Sequence, residues 1–164
     1  MTATERLLEH AARYAELFRQ APPTAQPALG VTVVACMDAR INPFALFGLS
    51  EGDAHILRNA GGTVTDDTLR SLVISQRYLK TREIILVHHT GCGMLGFTDD
   101  EFADNLEQET GRRPPWPARS FRDPADDVRS SVKRIRECEW IPNRGDVRGF
   151  VFRVEDGELE EVAL

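Results

Sequence analysis

The sequence predicts an α/β fold, in which a mostly parallel central β-sheet is flanked by helices. Apolar segments of strand length alternate along the chain with segments of helical periodicity, and this alternation is typical of parallel sheets. One strand candidate, Glu83–His88, is almost continuously apolar, as expected for a strand in the middle of such a sheet. A length of 164 residues suits a single domain with its own core, which we expect to span residues 1–164.

Residues 1–28 are predicted to form an N-terminal helical arm and a proline-rich connector. Apolar side chains recur at helical spacing over residues 2–20, and Thr2 or Thr4 can cap this helix. The connector, Ala21–Pro27, is stiffened by its prolines. An isolated helix of this length cannot hold a core of its own. We therefore expect it to pack on the rest of the domain or on a neighbouring subunit.

The rest of the chain alternates strands with helices that begin at capping residues. Thr65 and Thr98 stand at two helix starts, and Asp123 or Pro124 opens the last helix. Asp156-Gly157 predicts a hairpin turn before the final strand. The predicted strands are Val31–Cys36, Ala54–Leu57, Glu83–His88, Val147–Val154 and Glu158–Val162, and the later helices cover Pro43–Phe47 and residues 65–80, 98–109 and 124–139.

Charge and hydropathy argue against several classes of protein. The net charge of −6 does not suit nucleic acid as the main partner, because phosphate binding needs a basic face. No stretch approaches the roughly 18 consecutive apolar residues of a membrane helix, and the N-terminal segment lacks the apolar region of a signal peptide. Three cysteines fit a reducing compartment better than a disulfide framework. We therefore expect a cytoplasmic protein with no nucleic-acid or membrane partner.

Two groups of reactive side chains follow predicted strands. Cys36, Asp38 and Arg40 alternate at the end of the first strand, while His89 and Cys92 follow the third. Residues two apart point to the same side of an extended chain, so the first group can face one cavity if strand geometry persists that far. The second pair can point to the same place across a tight turn. Sites gather at the carboxyl ends of strands in α/β folds, so we expect one combined site.

Two sulfurs and an imidazole are ligands that zinc prefers in tetrahedral sites. Three protein ligands leave the fourth position open, as in catalytic zinc centres. We therefore predict one Zn²⁺ per chain on Cys36, His89 and Cys92. Asp38 could accept a hydrogen bond from water in the fourth position, with Arg40 holding its carboxylate. Asp38 is also a competing fourth ligand, so its release by Arg40 is a possible on/off switch.

These motifs resemble the signature of the β-class carbonic anhydrases, which is Cys-x-Asp-x-Arg followed by His-x-x-Cys. The matching segments are Cys36–Arg40 and His89–Cys92. Arg58–Gly61 also looks like the family's segment between the two motifs, and His88–Met94 is most similar to the small bacterial and actinobacterial branch. The resemblance is carried mainly by residues 31–96.

The resemblance implies a fold, a site and a reaction. The family's sheet is mainly parallel and flanked by helices, and its N-terminal helix reaches over a partner subunit in a homodimer or homotetramer. By similarity, Cys36, His89 and Cys92 are zinc ligands, and Asp38 with Arg40 is the catalytic dyad. The implied reaction is the reversible hydration of carbon dioxide, in which zinc-bound hydroxide attacks the carbon and bicarbonate and a proton are released.

Two alternative functions stay open at this point. Relatives in the family hydrolyse carbonyl sulfide or carbon disulfide on the same site, and small changes in the apolar wall beside zinc would suffice for that change. A non-catalytic zinc or redox-sensing module would instead use Cys36 and Cys92 as a reversible pair. Asp38 and Arg40 argue against that module, because a structural site has no need of a poised acid and a residue that holds it.

Two further reactive residues are expected to lie outside the site. His88 precedes His89 on a strand, so its side chain should point to the opposite face and be packed or hydrogen-bonded in the core. Cys138 lies in a predicted helix among charged residues, and we expect a partly buried thiol without a special role.

Overall fold

The computed structural model describes residues 1–18 and 24–164 and contains a five-stranded sheet flanked by helices. The strands are β1 (Val31–Cys36), β2 (Ala54–Asn59), β3 (Glu83–His89), β4 (Val147–Phe152) and β5 (Leu159–Glu161). The helices are α1 (Ala3–Leu17), α2 (Pro43–Phe47), α3 (Asp66–Arg77), α4 (Asp99–Thr110) and α5 (Pro124–Glu137), with short 3₁₀ turns at Ala60–Gly62 and Gly93–Leu95. Within the described ranges, no helix is both long and apolar enough to span a bilayer.

The strand order is β2-β1-β3-β4-β5. The first four strands in this order are parallel, and β5 pairs antiparallel with β4 through the predicted hairpin. The mostly parallel sheet is therefore confirmed, with the apolar strand β3 in its middle. Because parallel strands share a direction, the carboxyl ends of β1 and β3 lie side by side at one edge of the sheet.

The ends of four strands differ from the sequence prediction, and β5 is one residue shorter than predicted at each end. β2 and β3 run longer than predicted because their last residues still pair across the sheet, Asn59 with Cys36 and His89 with Phe152. β4 is shorter than predicted, because the hairpin turn already begins at Arg153. The extension of β3 matters for the site, since it fixes His89 within the sheet.

The helix starts follow the predicted capping residues. The Thr2 and Thr98 hydroxyls cap α1 and α4 within capping boxes, and Thr65 caps α3. α3 ends at Arg77 rather than near residue 80, and Lys80 adopts a left-handed φ of 64° that a helix cannot contain. α1 is shorter than the predicted helix, and residues 19–23, which include the start of the predicted connector, lie outside the described residues.

Helix α1 exposes all of its side chains. It has no buried residue, although a hydrogen bond of 2.8 Å from the Tyr14 hydroxyl to Glu51 Oε1 joins it to the rest of the chain. Its large apolar side chains, Leu7, Leu8, Leu17 of the helix and Phe18 just after it, are all exposed. The packing of this helix on a partner subunit, and the boundary of an arm at residue 28, stay predictions.

The core lies on both faces of the sheet. Alternate residues of β1 point to opposite sides, Val34 towards the face covered by α3 and α5, and Val33 towards the face partly covered by α2. The larger cluster joins the sheet to the two long helices through residues such as Leu72, Leu86, Val128, Val132 and Ile135. Packing from both sides holds the carboxyl ends of β1 and β3 in the interior.

Helix α5 packs directly against β4 at Gly149. A Cβ atom built there would overlap Cγ1 of Val128, a core side chain that is 0% exposed. The Val128 side chain is enclosed by the core, so it cannot simply turn away from an added methyl group. Glycine is therefore needed at this position for helix and sheet to pack together.

We expect Gly149→Ala to lower the free energy of unfolding by about 1–3 kcal/mol, because overpacking forces a shift of α5 on the sheet. Urea unfolding followed by circular dichroism measures this change. Gly145→Ala is the matched control, since a Cβ there meets nothing within 4 Å. Equal loss of stability in both variants would contradict the packing explanation.

Candidate metal centre and active site

The ends of β1 and β3 bring the three predicted ligands together. One ligand atom each from Cys36, His89 and Cys92 can be chosen so that all lie within 4.8 Å of one another. The two sulfur atoms are 3.9 Å apart. The three residues are only 4%, 0% and 5% exposed, respectively. The convergence of these side chains, expected from the sequence, is thus present in a buried pocket.

The turn after β2 holds Cys36 in its position at the end of β1. Cys36 is the last residue of β1, and the turn Ala60–Gly62 after β2 lies directly against it. Gly62 has a φ of 71°, and a Cβ there would come within 2.8 Å of the Cys36 backbone nitrogen. This close approach admits only glycine, so the turn packs tightly against the strand end that carries the thiol.

The hydrogen bonds of His89 leave one ring nitrogen without a protein partner. Nδ1 lies 2.9 Å from the carbonyl oxygen of Thr90, and because a carbonyl only accepts, Nδ1 carries the proton. Nε2 then has a free lone pair. It is buried, with no hydrogen-bond partner among the described residues. A buried lone pair of this kind is costly unless a ligand such as a metal ion binds it.

The donor set fits zinc. Two sulfurs bound at about 2.3 Å in tetrahedral geometry lie about 3.8 Å apart, and the Cys36 and Cys92 sulfurs are separated by 3.9 Å. The unprotonated His89 Nε2 completes a set of three soft and borderline donors. These three residues could therefore hold a zinc ion with little rearrangement.

The pKa values of the two thiols are shifted in opposite directions. Burial raises the pKa of Cys36, but the His89 ring in its protonated form and the backbone N–H groups of Asp38 and Gly61 more than offset this, so the pKa lies below its usual value. Burial raises the pKa of Cys92 to about 11, and the nearby Cys36 adds to the rise. Two buried thiolates this close repel each other, and a divalent cation between them would allow both to be ionised.

Asp38 and Arg40 form a tight pair beside these donors. Oδ1 accepts from the backbone N–H and from Nε of Arg40, both at 2.9 Å, and Oδ2 accepts from Nη2 at 2.7 Å. These hydrogen bonds hold the pKa of Asp38 far below its usual range, so the carboxylate is ionised. Oδ2 lies 3.8 Å from His89 Nε2, which places the charge at the edge of the donor set.

The chain reaches this arrangement through a turn rather than through continued strand geometry. β1 ends at Cys36, and Ile41 N–H donates to the Asp38 carbonyl at 3.1 Å. The Arg40 side chain is 51% exposed, and its Nη2 also donates to the Gly91 carbonyl at 2.9 Å. Strand geometry therefore does not persist to Asp38 and Arg40. The turn instead brings the Asp38 carboxylate to the donor set and leaves Arg40 at the rim, where it links the two loops.

Arg58 is a site residue that sequence reasoning missed. Its Nε donates to the Cys36 carbonyl at 2.9 Å and its Nη2 to the Asp38 carbonyl at 2.7 Å. The guanidinium thus fixes the backbone on both sides of Met37. The segment Arg58–Gly61 is part of the family resemblance, but the sequence does not show that Arg58 binds these carbonyls. That contact depends on the parallel register, which pairs Arg58 with Ala35.

His88 and Cys138 lie outside the donor set, as predicted. His88 is fully buried, its Nε2 is 2.7 Å from Asp127 Oδ2 on α5, and its ring packs 5.4 Å from the Phe121 ring. Cys138 follows the last residue of α5, which ends at Glu137 rather than near residue 139, and it is buried in the main core with Ile135 and Ile141. Both residues serve the packing of α5 and its surroundings.

Apolar side chains surround the two cysteines. Ile41, Met94 and Phe121 form a buried cluster with them. The partly buried side chains packed on this cluster are Leu95, Phe97, Ala118 and Phe152. The two cysteines of the donor set therefore adjoin an apolar wall, which suits a small uncharged substrate better than a polar one.

Comparisons with known proteins agree with this site. The family model described as carbonic anhydrase matches residues 31–116. Beta-carbonic anhydrase 1 of Mycobacterium tuberculosis is 49% identical over 162 residues, which cover 99% of each chain. This chain belongs to the β-carbonic anhydrase family. Members of the family use zinc, and the Cys36, His89 and Cys92 set is where this member could bind it.

Two further relatives show how the family varies. The crystal structure of a carbonic anhydrase from Streptococcus mutans superposes with a TM-score of 0.92 at 36% identity, covering 99% of both chains. The fold expected from the resemblance is thereby confirmed. A carbon disulfide hydrolase of Saccharolobus solfataricus is 48% identical over 154 residues, covering 79% of this chain and 75% of that enzyme. This β-carbonic anhydrase family member thus has relatives that carry names of both activities.

We expect Cys92→Ser to lose most of its bound zinc, because a serine oxygen replaces one of two thiolate ligands. Elemental analysis of the purified chain by mass spectrometry measures the zinc content, for which we expect one ion per wild-type chain. Cys138→Ser is the matched control, since Cys138 is also buried but lies outside the donor set. Full zinc content in Cys92→Ser would show that this thiol is not a ligand.

Proposed function

We propose that this member of the β-carbonic anhydrase family catalyses the reversible hydration of carbon dioxide to bicarbonate and a proton. One observation carries the proposal: an ionised carboxylate, held by Arg40, lies 3.8 Å from the unpartnered His89 nitrogen of a buried donor set. The 49% identity to a β-carbonic anhydrase over nearly the whole chain supports it.

Cys36, His89 and Cys92 would hold the zinc ion in this mechanism. Zinc bound there lowers the pKa of water and so supplies a nucleophile at neutral pH. The chain's own contribution is to keep this pocket dry and fixed. The thiols and the imidazole are buried, the Thr90 carbonyl fixes the imidazole tautomer, and Arg58 holds the backbone carbonyl of Cys36.

Asp38 would orient the reacting water. Its Oδ1 already accepts two hydrogen bonds from Arg40, whereas Oδ2 accepts one and keeps a second lone pair. Oδ2 is also the oxygen nearest to His89 Nε2. A water molecule beside Oδ2 can therefore donate one hydrogen bond to it, which leaves the water's own lone pair directed away from the carboxylate. Arg40 keeps Asp38 ionised, so that it accepts and does not donate.

The apolar wall would receive carbon dioxide. Ile41, Met94 and Phe121 offer no strong hydrogen-bond donors or acceptors, so water gains little there and a linear, uncharged molecule can replace it. This wall supports an enzyme rather than a redox-sensing module, since a module of that kind requires neither an apolar substrate surface nor an oriented carboxylate. We also infer a cytoplasmic location, which the three free cysteines support.

We expect the zinc-loaded chain to hydrate carbon dioxide in a stopped-flow pH-indicator assay. We expect Asp38→Asn to lower kcat/KM roughly 100-fold, because the asparagine amide can donate a hydrogen bond to water and is not held by Arg40 in the same way. Asp67→Asn is the control, since Asp67 is an exposed acid of α3 paired with Arg70. We expect this control to keep wild-type activity.

The same preparation distinguishes the alternatives. Carbonyl sulfide and carbon disulfide are linear and apolar like carbon dioxide, and the wall of Ile41, Met94 and Phe121 suits all three. Hydrogen sulfide release from either compound is measured beside carbon dioxide hydration. Turnover of a sulfur compound with no hydration of carbon dioxide would replace the proposed substrate, and no turnover of any of the three would favour a non-catalytic zinc protein.

We further propose that the chain forms a homodimer or homotetramer in which α1 packs on a partner subunit and residues 1–28 act as its arm. Every side chain of α1 is exposed, including Leu7, Leu8 and Leu17. Leaving such an apolar set in water is costly, and a second copy of the chain would bury it. We also propose that residues 1–164 form a single domain, of which this arm is the N-terminal part.

We expect the double variant Leu7→Ser/Leu8→Ser to weaken assembly, because it removes apolar surface that a partner would bury. Light scattering coupled to size-exclusion chromatography should show wild-type particles of two or four times the 18.4 kDa chain and smaller particles for the variant. Arg6→Ser/Arg13→Ser, on the same helix, is the control. A monomeric wild-type chain would contradict the proposal.

A further inference from the structure

The hairpin turn between β4 and β5 lies against the residue that follows His89. Thr90 N–H donates to the Phe152 carbonyl at 3.0 Å and so extends the pairing of β3 with β4. The Thr90 hydroxyl accepts from Val154 N–H at 3.1 Å and donates to Glu155 Oε2 at 2.7 Å. One hydrogen bond to the end of β4 and two to the turn thus fix both the backbone and the side chain of Thr90.

Thr90 in turn holds the predicted metal ligand. Its carbonyl oxygen is the acceptor for His89 Nδ1 at 2.9 Å, and this contact sets which ring nitrogen is left for a metal. The next carbonyl, that of Gly91, accepts from Arg40 at 2.9 Å. Rotation of the Thr90 peptide would therefore move the imidazole and the anchor of the Asp38–Arg40 pair together.

Four of the five hairpin carboxylates bind arginine side chains, and Glu161 does so through Arg148. The guanidinium of Arg153 binds Asp156, Glu158 and Glu160 at 2.5–3.2 Å. Glu155 points to Thr90 instead. The Thr90 hydroxyl keeps the pKa of Glu155 below its usual value, so Glu155 is charged and the hydrogen bond is charge-assisted. One acid of the hairpin is thus directed at the loop that follows the metal ligand.

We propose that Thr90 and Glu155 are positioning residues of the metal centre, which orient the His89 ring through the Thr90 carbonyl. The Glu155 carboxylate and the Val154 N–H use the donor and one acceptor site of the hydroxyl, so the Thr90 side chain has one favoured orientation. The turn between β4 and β5 would then orient the buried His89 through Thr90, without contacting His89 itself. This inference rests on the zinc site of the proposed function.

Thr90→Val tests the proposal, because valine keeps the shape of threonine and removes the hydroxyl. We expect the dissociation constant for zinc, measured by competition with a chelating dye, to rise roughly 10- to 100-fold, as is typical when a partner of a metal ligand is lost. Thr90→Ser keeps the hydroxyl and should restore most of the affinity. The cobalt-substituted protein should show shifted visible absorption bands in Thr90→Val and wild-type bands in Thr90→Ser.

Glu155→Ala removes the second partner and should also weaken zinc binding, while Glu155→Gln keeps an acceptor for the Thr90 hydroxyl and should lose less. Glu158→Ala is the matched control, because Glu158 belongs to the same hairpin but binds Arg153. Urea unfolding in the presence of a chelator measures the stability of each metal-free variant. A loss of zinc affinity that only follows this stability would point to a structural role and overturn the proposal.

Wild-type zinc affinity and wild-type cobalt spectra in both Thr90→Val and Glu155→Ala would likewise overturn it. Neither measurement uses a substrate, so the test is separate from that of the proposed reaction. A wild-type chain that fails to hydrate carbon dioxide, together with weakened zinc binding in Thr90→Val, would reject the reaction and keep the positioning role. Normal hydration of carbon dioxide with no effect of Thr90→Val on zinc binding would keep the proposed reaction and reject the positioning role.

Discussion

Two thiols and an imidazole nitrogen lie in a pocket that water barely reaches, and this is the constraint around which the fold is arranged. Cys36 and Cys92 have sulfurs 3.9 Å apart, and His89 Nε2 has no protein partner among the described residues. Burial makes two thiolates and a free lone pair costly in the absence of a cation. The parallel pairing of β1 with β3, packed on both faces, is what holds these groups in place against that cost.

Backbone carbonyls, rather than side chains alone, connect this pocket to its surroundings. Arg58 binds the carbonyls of Cys36 and Asp38, and Arg40 binds that of Gly91. Two arginines at the rim therefore fix the segments that follow β1 and β3, while their charges stay close to solvent, where they cost little to maintain. The interior keeps neutral or metal-binding groups, and the positive charge of the rim faces the ionised carboxylate of Asp38.

The sequence predicts the sheet and the five site residues because both follow from local patterns. Periodicity locates the strands, and short spacing places Cys36 near Asp38 and His89 near Cys92. The roles of Arg58 and Thr90 follow instead from strand register and from a hairpin more than 60 residues away. Register depends on the packing of the whole sheet, so spacing alone does not reveal such contacts.

The hydrogen bonds of Asp38 determine how it could act as a switch. To become a zinc ligand, Asp38 would have to turn one carboxylate oxygen towards the donor set. Its Oδ2 now lies 3.8 Å from His89 Nε2. The motion needed is short, but it would weaken the contacts that Arg40 makes with both carboxylate oxygens. Charge-assisted hydrogen bonds of this type are stronger than neutral ones, and the three of them share one geometry. The arginine, rather than distance, therefore keeps Asp38 in the orientation that can accept a hydrogen bond from water.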